Sequence, residues 1–288
     1  MQILITGIFL GGVYAIIAVG LSLQYGVSRI MNLAVGEMLV AGAFAAFWFS
    51  TAQSLNPYLS LLVVIPVAFC ANWLIYRYLL LPLVRRAKTR GQLEVDSILV
   101  TFGLSFTLVG IFLWAFGGQF FNYSFLSVPV EIFDSRYGQN RVLAFAIAFV
   151  ICAGLWIWLN HTRSGLSMRA ISVDTRAASL VAIDVEKSSN FAFALGGAIA
   201  ATGGMVLSTF LTFDASIGIV FTLKALVIVI MGGVGDIRGA IVAALVLGIT
   251  ETIVARLIDP GLTLAAAYVL FLLILLFRPR GLFGRAQT

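Results

Sequence analysis

Charge is scarce in this 288-residue chain: Asp, Glu, Lys and Arg supply 10% of it, hydrophobic residues 61%, and the mean hydropathy is +1.07. Soluble domains draw about a quarter of their residues from those four types. Water is therefore not the main solvent, and no polar stretch is long enough to build a separate soluble domain. The two cysteines, Cys70 and Cys152, fall in apolar runs, which excludes a disulfide or metal framework and leaves them as small hydrophobes. The one histidine, His161, stands near Arg163 and reads as an interfacial or helix-end residue. Also missing are the phosphate loop GxxxxGK(S/T), HExxH, a Cys/His cluster and the GxSxG elbow. The glycine-rich stretch GGVGDIRG lacks Lys-Ser or Lys-Thr and joins two apolar segments, so it reads as a turn and not as a nucleotide site.

What is present is a series of long apolar runs. A bilayer crossing takes about 20 apolar residues, and residues 3–23, 57–81, 97–116, 142–159, 191–213, 240–258 and 262–277 qualify. Two further segments, 31–49 and 219–233, are shorter or interrupted, the first by Gly36 with Glu37 and the second by Lys224. Broken or re-entrant helices of that kind are tolerated where protein or a cavity satisfies the freed backbone groups. The start lacks a basic n-region and a small-residue cleavage site and reads as a retained first helix. The expected fold is all-α: a polytopic membrane bundle of about 8–9 segments, forming a single domain over residues 1–288.

Basic residues orient the bundle, because cytoplasmic loops collect Lys and Arg. Arg85, Arg86, Lys88 and Arg90 mark one such loop; His161, Arg163, Arg169, Arg176 and Lys187 mark another, and Arg278, Arg280 and Arg285 mark the tail. Connections 51–56, 118–140 and 212–216 are poor in basic residues and are expected outside. Parity then requires 219–233 to count as a crossing, with Arg29 inside, the N-terminus outside and the C-terminus cytoplasmic. The net charge of +6 is accounted for by loops beside anionic lipid, so no nucleic-acid partner is expected.

Residues 162–188 form the one long segment that is neither membrane core nor simple turn. Ala170, Ala177 and Ala178 favour helix, Ile171, Leu180 and Ile183 supply apolar anchors, and Arg169, Asp174 and Arg176 supply charge, which predicts a short amphipathic helix across the membrane face. Such a helix is either a connector held by lipid headgroups or a docking element whose small alanines admit a partner and whose charges fix its register.

Ionisable groups inside spans are costly and tend to face an interior pathway. Glu37, Lys224 and Glu251 are the candidates, and Tyr14, Asn32 and Thr101 add polarity that serves equally as glue between helices. Lys224 and Glu251 lie at a similar depth, about 12 Å from the expected outer edge at 1.5 Å per residue. An ion pair fixing the packing, a lining for a solute path and an outward-snorkelling Lys224 are the three readings. Glu37 follows Gly36 near the expected cytoplasmic end of its segment, where its carboxylate has loosened backbone amides to bind. Gly196, Ala200 and Gly204 share one helix face, which suits close packing within the subunit or against a second one.

The loop RSGLSMRAISVDTRAASLVAIDVEK, followed by a Gly/Ala-rich span, resembles the cytoplasmic loop of permeases from the branched-chain amino acid class of ABC importers. GGVYAIIAVGLSLQYGVSRIMNLAVGEMLVAGAF near the start, ATGGMV at 201–206, KALVIVIMGGVGDIRGAIVAALVLGITETIV at 224–254 and RPRGLFGR at the tail stand in the family's order and cover most of the chain. The pattern is more similar to LivH-type than to LivM-type permeases. The family commonly has Asn-Phe-Ala-His-Gly-Glu where this chain reads Asn32-Leu33-Ala34-Val35-Gly36-Glu37, which leaves urea, short amides and small carboxylic acids open beside branched-chain amino acids.

The resemblance implies a translocation subunit that performs no bond chemistry, in a bacterial or archaeal cytoplasmic membrane. It further implies two ABC ATPase subunits that bind ATP and Mg, a second, LivM-type permease subunit, and an extracytoplasmic substrate-binding protein, with no cofactor in this chain. Its coupling helix corresponds here to Arg169, Ala170, Asp174, Ala177, Ala178, Leu180 and Ile183. A self-sufficient channel or ion-coupled carrier using Glu37, Lys224 and Glu251 is the alternative. A membrane enzyme is a weaker one, for want of a paired catalytic constellation.

Overall fold

A computed structural model describes residues 1–52, 56–123, 125, 126, 128–132 and 135–284, all but the side chains of Arg90 and Ile132. Arg285 and the Arg90 side chain, both counted among the basic loop residues, lie outside the described residues.

The helices are α1 (Gln2–Ser28), α2 (Val35–Ala52), α3 (Leu61–Ile75), α4 (Leu81–Arg86), α5 (Arg90–Phe116), α6 (Gln139–His161), α7 (Arg163–Val173), α8 (Thr175–Leu180), α9 (Val185–Ser208), α10 (Gly218–Gly232), α11 (Ile237–Leu257) and α12 (Thr263–Phe277). Among the described residues eight helices are long and apolar enough to span a bilayer: α1, α2, Pro57–Arg86, Gly91–Phe116, α6, α9, α11 and Pro260–Phe277. At 15 residues α10 extends about 22 Å, short of a full crossing of about 30 Å.

Two spans differ from the sequence expectation for identifiable reasons. The third runs on past residue 81 to Arg86 through a π-helical turn at Tyr76–Leu80, just ahead of Pro82, which has no N–H to continue the α-helical ladder. The second is interrupted earlier than Gly36 and Glu37: α2 is continuous from Val35, and the break lies at residues 29–34.

α9 is the axis of the bundle, with 89% of its apolar stretch buried, while Pro260–Phe277 on the periphery has 6% buried. Its small residues make that possible. A Cβ on Gly196 would strike the backbone of Gly20 and the side chain of Gln24 on α1, and one on Gly204 would strike the backbone of Leu39 on α2. The shared small-residue face therefore serves packing inside the subunit, against two different helices. α1 is clamped on its other side by α11, where Gly7 and Gly11 meet Gly248 and Ile249.

One end of the bundle carries Arg29, Arg85, α7, α8 and the tail. The opposite end is closed by a short antiparallel hairpin, β1 (Pro129–Ile132) with β2 (Ser135–Gly138), in which Pro129 faces Gly138 and Ile132 faces Ser135. Beside it Phe121 and Phe213 exchange backbone hydrogen bonds of 2.8 and 3.0 Å, and Phe44 stacks on Phe116 at 3.9 Å between ring centres. Strand pairing in this connection was not signalled by hydropathy.

Replacing Gly204 by Val should lower the melting temperature of the detergent-solubilised protein, since overpacking costs about 1–3 kcal/mol. Gly103→Ala is the control: a Cβ there meets nothing within 4 Å. It should leave stability unchanged or raised, helical Gly being about 0.5–1 kcal/mol worse than Ala.

Candidate functional site: a buried polar seam and a helix pair at the basic end

The seam begins where α1 stops. Arg29 takes a left-handed conformation (φ 56, ψ 26) that ends the helix, its N–H bonding Tyr25 O at 2.9 Å. The chain then leaves helical geometry while Ile30, Asn32 and Ala34 are fully buried. Backbone groups away from water need partners, and side chains from three other helices help to provide them. Asn32 accepts from Ala34 N–H at 3.0 Å and donates to the Gln24 amide oxygen at 3.0 Å, while Gln24 donates to Phe193 O on α9 at 2.9 Å. Thr101 on α5 accepts from Leu33 N–H at 3.1 Å and its hydroxyl lies 3.0 Å from Met31 O. Thr222 on α10 accepts from Gly36 N–H at 2.9 Å and donates to Leu33 O at 3.2 Å.

Glu37 stands in the first turn of α2, where a helix N-terminus favours negative charge. It is fully buried and takes a hydrogen bond from Ser105 at 3.0 Å. Ser105 is near the middle of α5, so Glu37 lies deep in the bundle and not near its basic end as expected from the sequence. Gly218, the first residue of α10, closes over the carboxylate: a Cβ there would contact it, and Oε2 has no protein partner. The N-terminal turns of α2 and α10 thus meet inside the membrane region.

A second cluster joins α1, α10 and α11. Lys224 Nζ donates to Glu251 Oε2 at 2.9 Å and to Tyr14 OH at 2.8 Å, and Tyr14 OH donates to the same Oε2 at 2.7 Å. Of the three sequence readings the ion pair is the one observed. Lys224 does not snorkel; its side chain is 12% exposed and its ammonium lies 4.8 Å from the centre of the Tyr14 ring. The candidate pathway residues therefore form two groups, Asn32, Glu37 and Thr101 in the seam and Tyr14, Lys224 and Glu251 in the triad, each bonded within the subunit, with Glu37 Oε2 and Glu251 Oε1 left without a protein partner. Gln24, Ser105 and Thr222, which the sequence reading passed over, are integral to the seam; polar residues at helical depth were the available signal.

At the basic end the single helix expected over residues 169–183 is two. Asp174 leaves helical geometry (φ −146, ψ 109) and caps α8, accepting from Arg176 N–H at 2.8 Å and Ala177 N–H at 3.2 Å. Asp before a helix-forming run is a sequence-level cap signal. Met168, Ile171 and Ala178 are buried against the bundle and Ile183 packs on it, with Ala170 partly covered and Ala177 exposed. Leu180 is not the anchor expected: it is 88% exposed, as are Val173 at 74% and Val181 at 69%. Arg169 is held by Asn160 Oδ1 on α6 at 2.6 Å, and Arg29 donates to Ser172 O on α7 at 2.7 Å.

Removing one member of the triad's ion pair should be worse than removing both. Lys224→Met leaves a buried carboxylate unpaired, a loss of about 3–5 kcal/mol, whereas Lys224→Met with Glu251→Leu should recover most of it. Denaturation of the four proteins of this cycle in one detergent measures the difference.

Residues 3–278 match the family model described as branched-chain amino acid transport system / permease component. The chain is 26% identical to the high-affinity branched-chain amino acid transport system permease protein LivH of Salmonella typhimurium, over 100% of this chain and 96% of that one. It is likewise 26% identical to the BraD permease protein of Pseudomonas aeruginosa, over 100% and 97%. A ribose import permease protein, RbsC of Haemophilus influenzae, is 29% identical over 82% of this chain and 72% of its own length. Among solved structures, PsaBC from Streptococcus pneumoniae in complex with Fab superposes with a TM-score of 0.52 at 12% identity, over 98% of this chain and 94% of that one, a likeness of fold. With the family's model matching nearly its whole length on a bundle of spanning helices, the chain belongs to the branched-chain amino acid permease family and is a LivH-type permease of an ABC importer.

Proposed function

We propose that this subunit forms half of a pathway for branched-chain or related hydrophobic amino acids, energised by ATP hydrolysis, with Mg, in two separate ATPase subunits. A second, LivM-type permease completes the pathway, and an extracytoplasmic binding protein delivers the solute. The assembly sits in the cytoplasmic membrane of a bacterium or archaeon, with the N-terminus outside and the basic end inside. The LivH and BraD relatives, both permease proteins of high-affinity branched-chain amino acid transport systems, support the amino-acid reading.

The observation that carries the coupling role is the two-sided character of α7 and α8. One side is fixed in the bundle core through Met168, Ile171 and Ala178, and the other presents Val173, Leu180 and Val181 beside Arg176. Exposed apolar side chains grouped at a polar surface suit a protein contact, so residues 162–188 are read as the coupling segment. Arg29 then links that segment to the seam, because it bonds Ser172 O and is also the first residue of the break. Movement of α7 is thereby passed to the junction of α1 and α2, whose polar residues exchange partners as the pathway opens.

Leu180→Asp with Val181→Asp alters exposed side chains, so the subunit should fold normally and lose co-purification of the ATPase subunits; an intact complex would sink the assignment. Arg29→Gln should keep the complex and its ATP hydrolysis but lower solute uptake in proteoliposomes about tenfold, since a hydrogen bond from a charged group contributes about 1.5–3 kcal/mol. Unchanged uptake would break the proposed link.

A further inference from the structure

The end of the bundle remote from α7 and α8 holds a cleft of about 420 Å³ that neither the seam nor the helix pair uses. Three arginines line it, Arg136 of β2, Arg141 of α6 and Arg256 of α11, together with Gln2 and Thr6 of α1 and Asn122. Arg136 is offset by Glu131 at 3.0 Å. Among the described residues neither Arg141 nor Arg256 has a carboxylate within ion-pairing distance, and none of the lining residues is acidic. The cleft wall is tied together by Asn140, which donates to Thr209 O at 3.1 Å, and Arg141 lies 6.0 Å from the centre of the Phe210 ring.

Two features identify a ligand. The first is charge: this is the end read as extracytoplasmic, where the positive-inside bias disfavours Arg, and guanidinium forks suit a phosphate oxyanion held from two sides. The second is depth. Gln2 and Thr6 are in the opening turns of a spanning helix, Arg141 in the opening turn of α6 and Arg256 in the last turn of α11, which puts the cleft at the level of lipid headgroups. Apolar residues Met1 and Leu4 at the start of α1, and Leu257 and Ile258 at the end of α11, are exposed next to these polar ones in sequence. A soluble anion gains nothing from them, and acyl chains do.

We infer that this cleft binds the phosphate headgroup of an anionic phospholipid, held by Arg141 and Arg256, with the acyl chains against the exposed apolar ends of α1 and α11. The site is independent of which solute the importer carries.

Delipidated protein in neutral detergent should be stabilised by phosphatidylglycerol and retain one such lipid in native mass spectrometry, with phosphatidylcholine giving a smaller shift. Arg141→Gln with Arg256→Gln changes two exposed side chains and should weaken phosphatidylglycerol binding by tenfold or more, a loss of about 1.4 kcal/mol or greater, while leaving the lipid-free melting temperature unchanged. Four outcomes would overturn the proposal: equal responses to the two lipids, full phosphatidylglycerol binding by the double variant, inorganic phosphate alone reproducing the whole shift, or the double variant losing affinity for the extracytoplasmic binding protein while its lipid response stays intact.

Discussion

A backbone amide without a partner in the dry interior of a membrane protein costs several kcal/mol, and residues 29–34 expose the chain to that cost. The break is tolerated because α1, α5, α9 and α10 converge on it. Thr101 and Thr222 bond the backbone of Met31, Leu33 and Gly36 directly, Asn32 holds the Ala34 N–H, and Gln24, itself bonded to the Phe193 carbonyl, holds the Asn32 side chain. The close approach of α9 to α1 and α2 through Gly196 and Gly204 sets the distances over which those short side chains must reach. Packing and polar satisfaction are thus one problem here: a bulkier α9 would separate the helices that supply the partners.

The triad answers a related demand by a different route. α10 is too short to cross the membrane region and starts inside it, beside Gly36 and Glu37, which leaves Lys224 without ready access to water at either end. A lone ammonium there would be prohibitively costly, and Glu251 with Tyr14 compensates it while joining α10 to α11 and α1. The seam fixes the N-terminal part of α10 through Thr222 and the triad fixes its middle through Lys224. A short helix held at two points by exchangeable polar contacts is suited to move as a unit when the elements around it shift.

Much of this architecture is legible in the sequence. Hydropathy marks seven clear spans, and depth arithmetic puts Lys224 and Glu251 at one level, which permits a pair without requiring it. The interrupted character of segments 31–49 and 219–233 shows in their composition, but the site of interruption does not. Gly36 and Glu37 look like the break because glycine and charge are poor in a span, whereas the chain leaves the helix at Arg29, a residue with no special preference for a left-handed conformation. Tertiary bonds from Thr101 and Thr222, residues 68 and 189 positions from Leu33, decide that point. Leu180 reads as an anchor because one helix was assumed; once Asp174 starts a new helix, the faces rotate and Leu180 turns outward. The arginines of the remote cleft lie in three separate segments and meet only in space, so no local pattern in the sequence marks them.

Tolerance of the break turns on the amides of Leu33, Ala34 and Gly36, which Thr101, Asn32 and Thr222 hold by side-chain hydrogen bonds in place of an α-helical ladder, and hydrogen–deuterium exchange tests this most directly. In the lipid-embedded protein, a peptide covering residues 30–36 should retain slowly exchanging amides at Leu33, Ala34 and Gly36, and Thr101→Val with Thr222→Val should accelerate their exchange selectively. Exchange of that peptide in the unaltered protein as fast as an exposed loop would contradict the account.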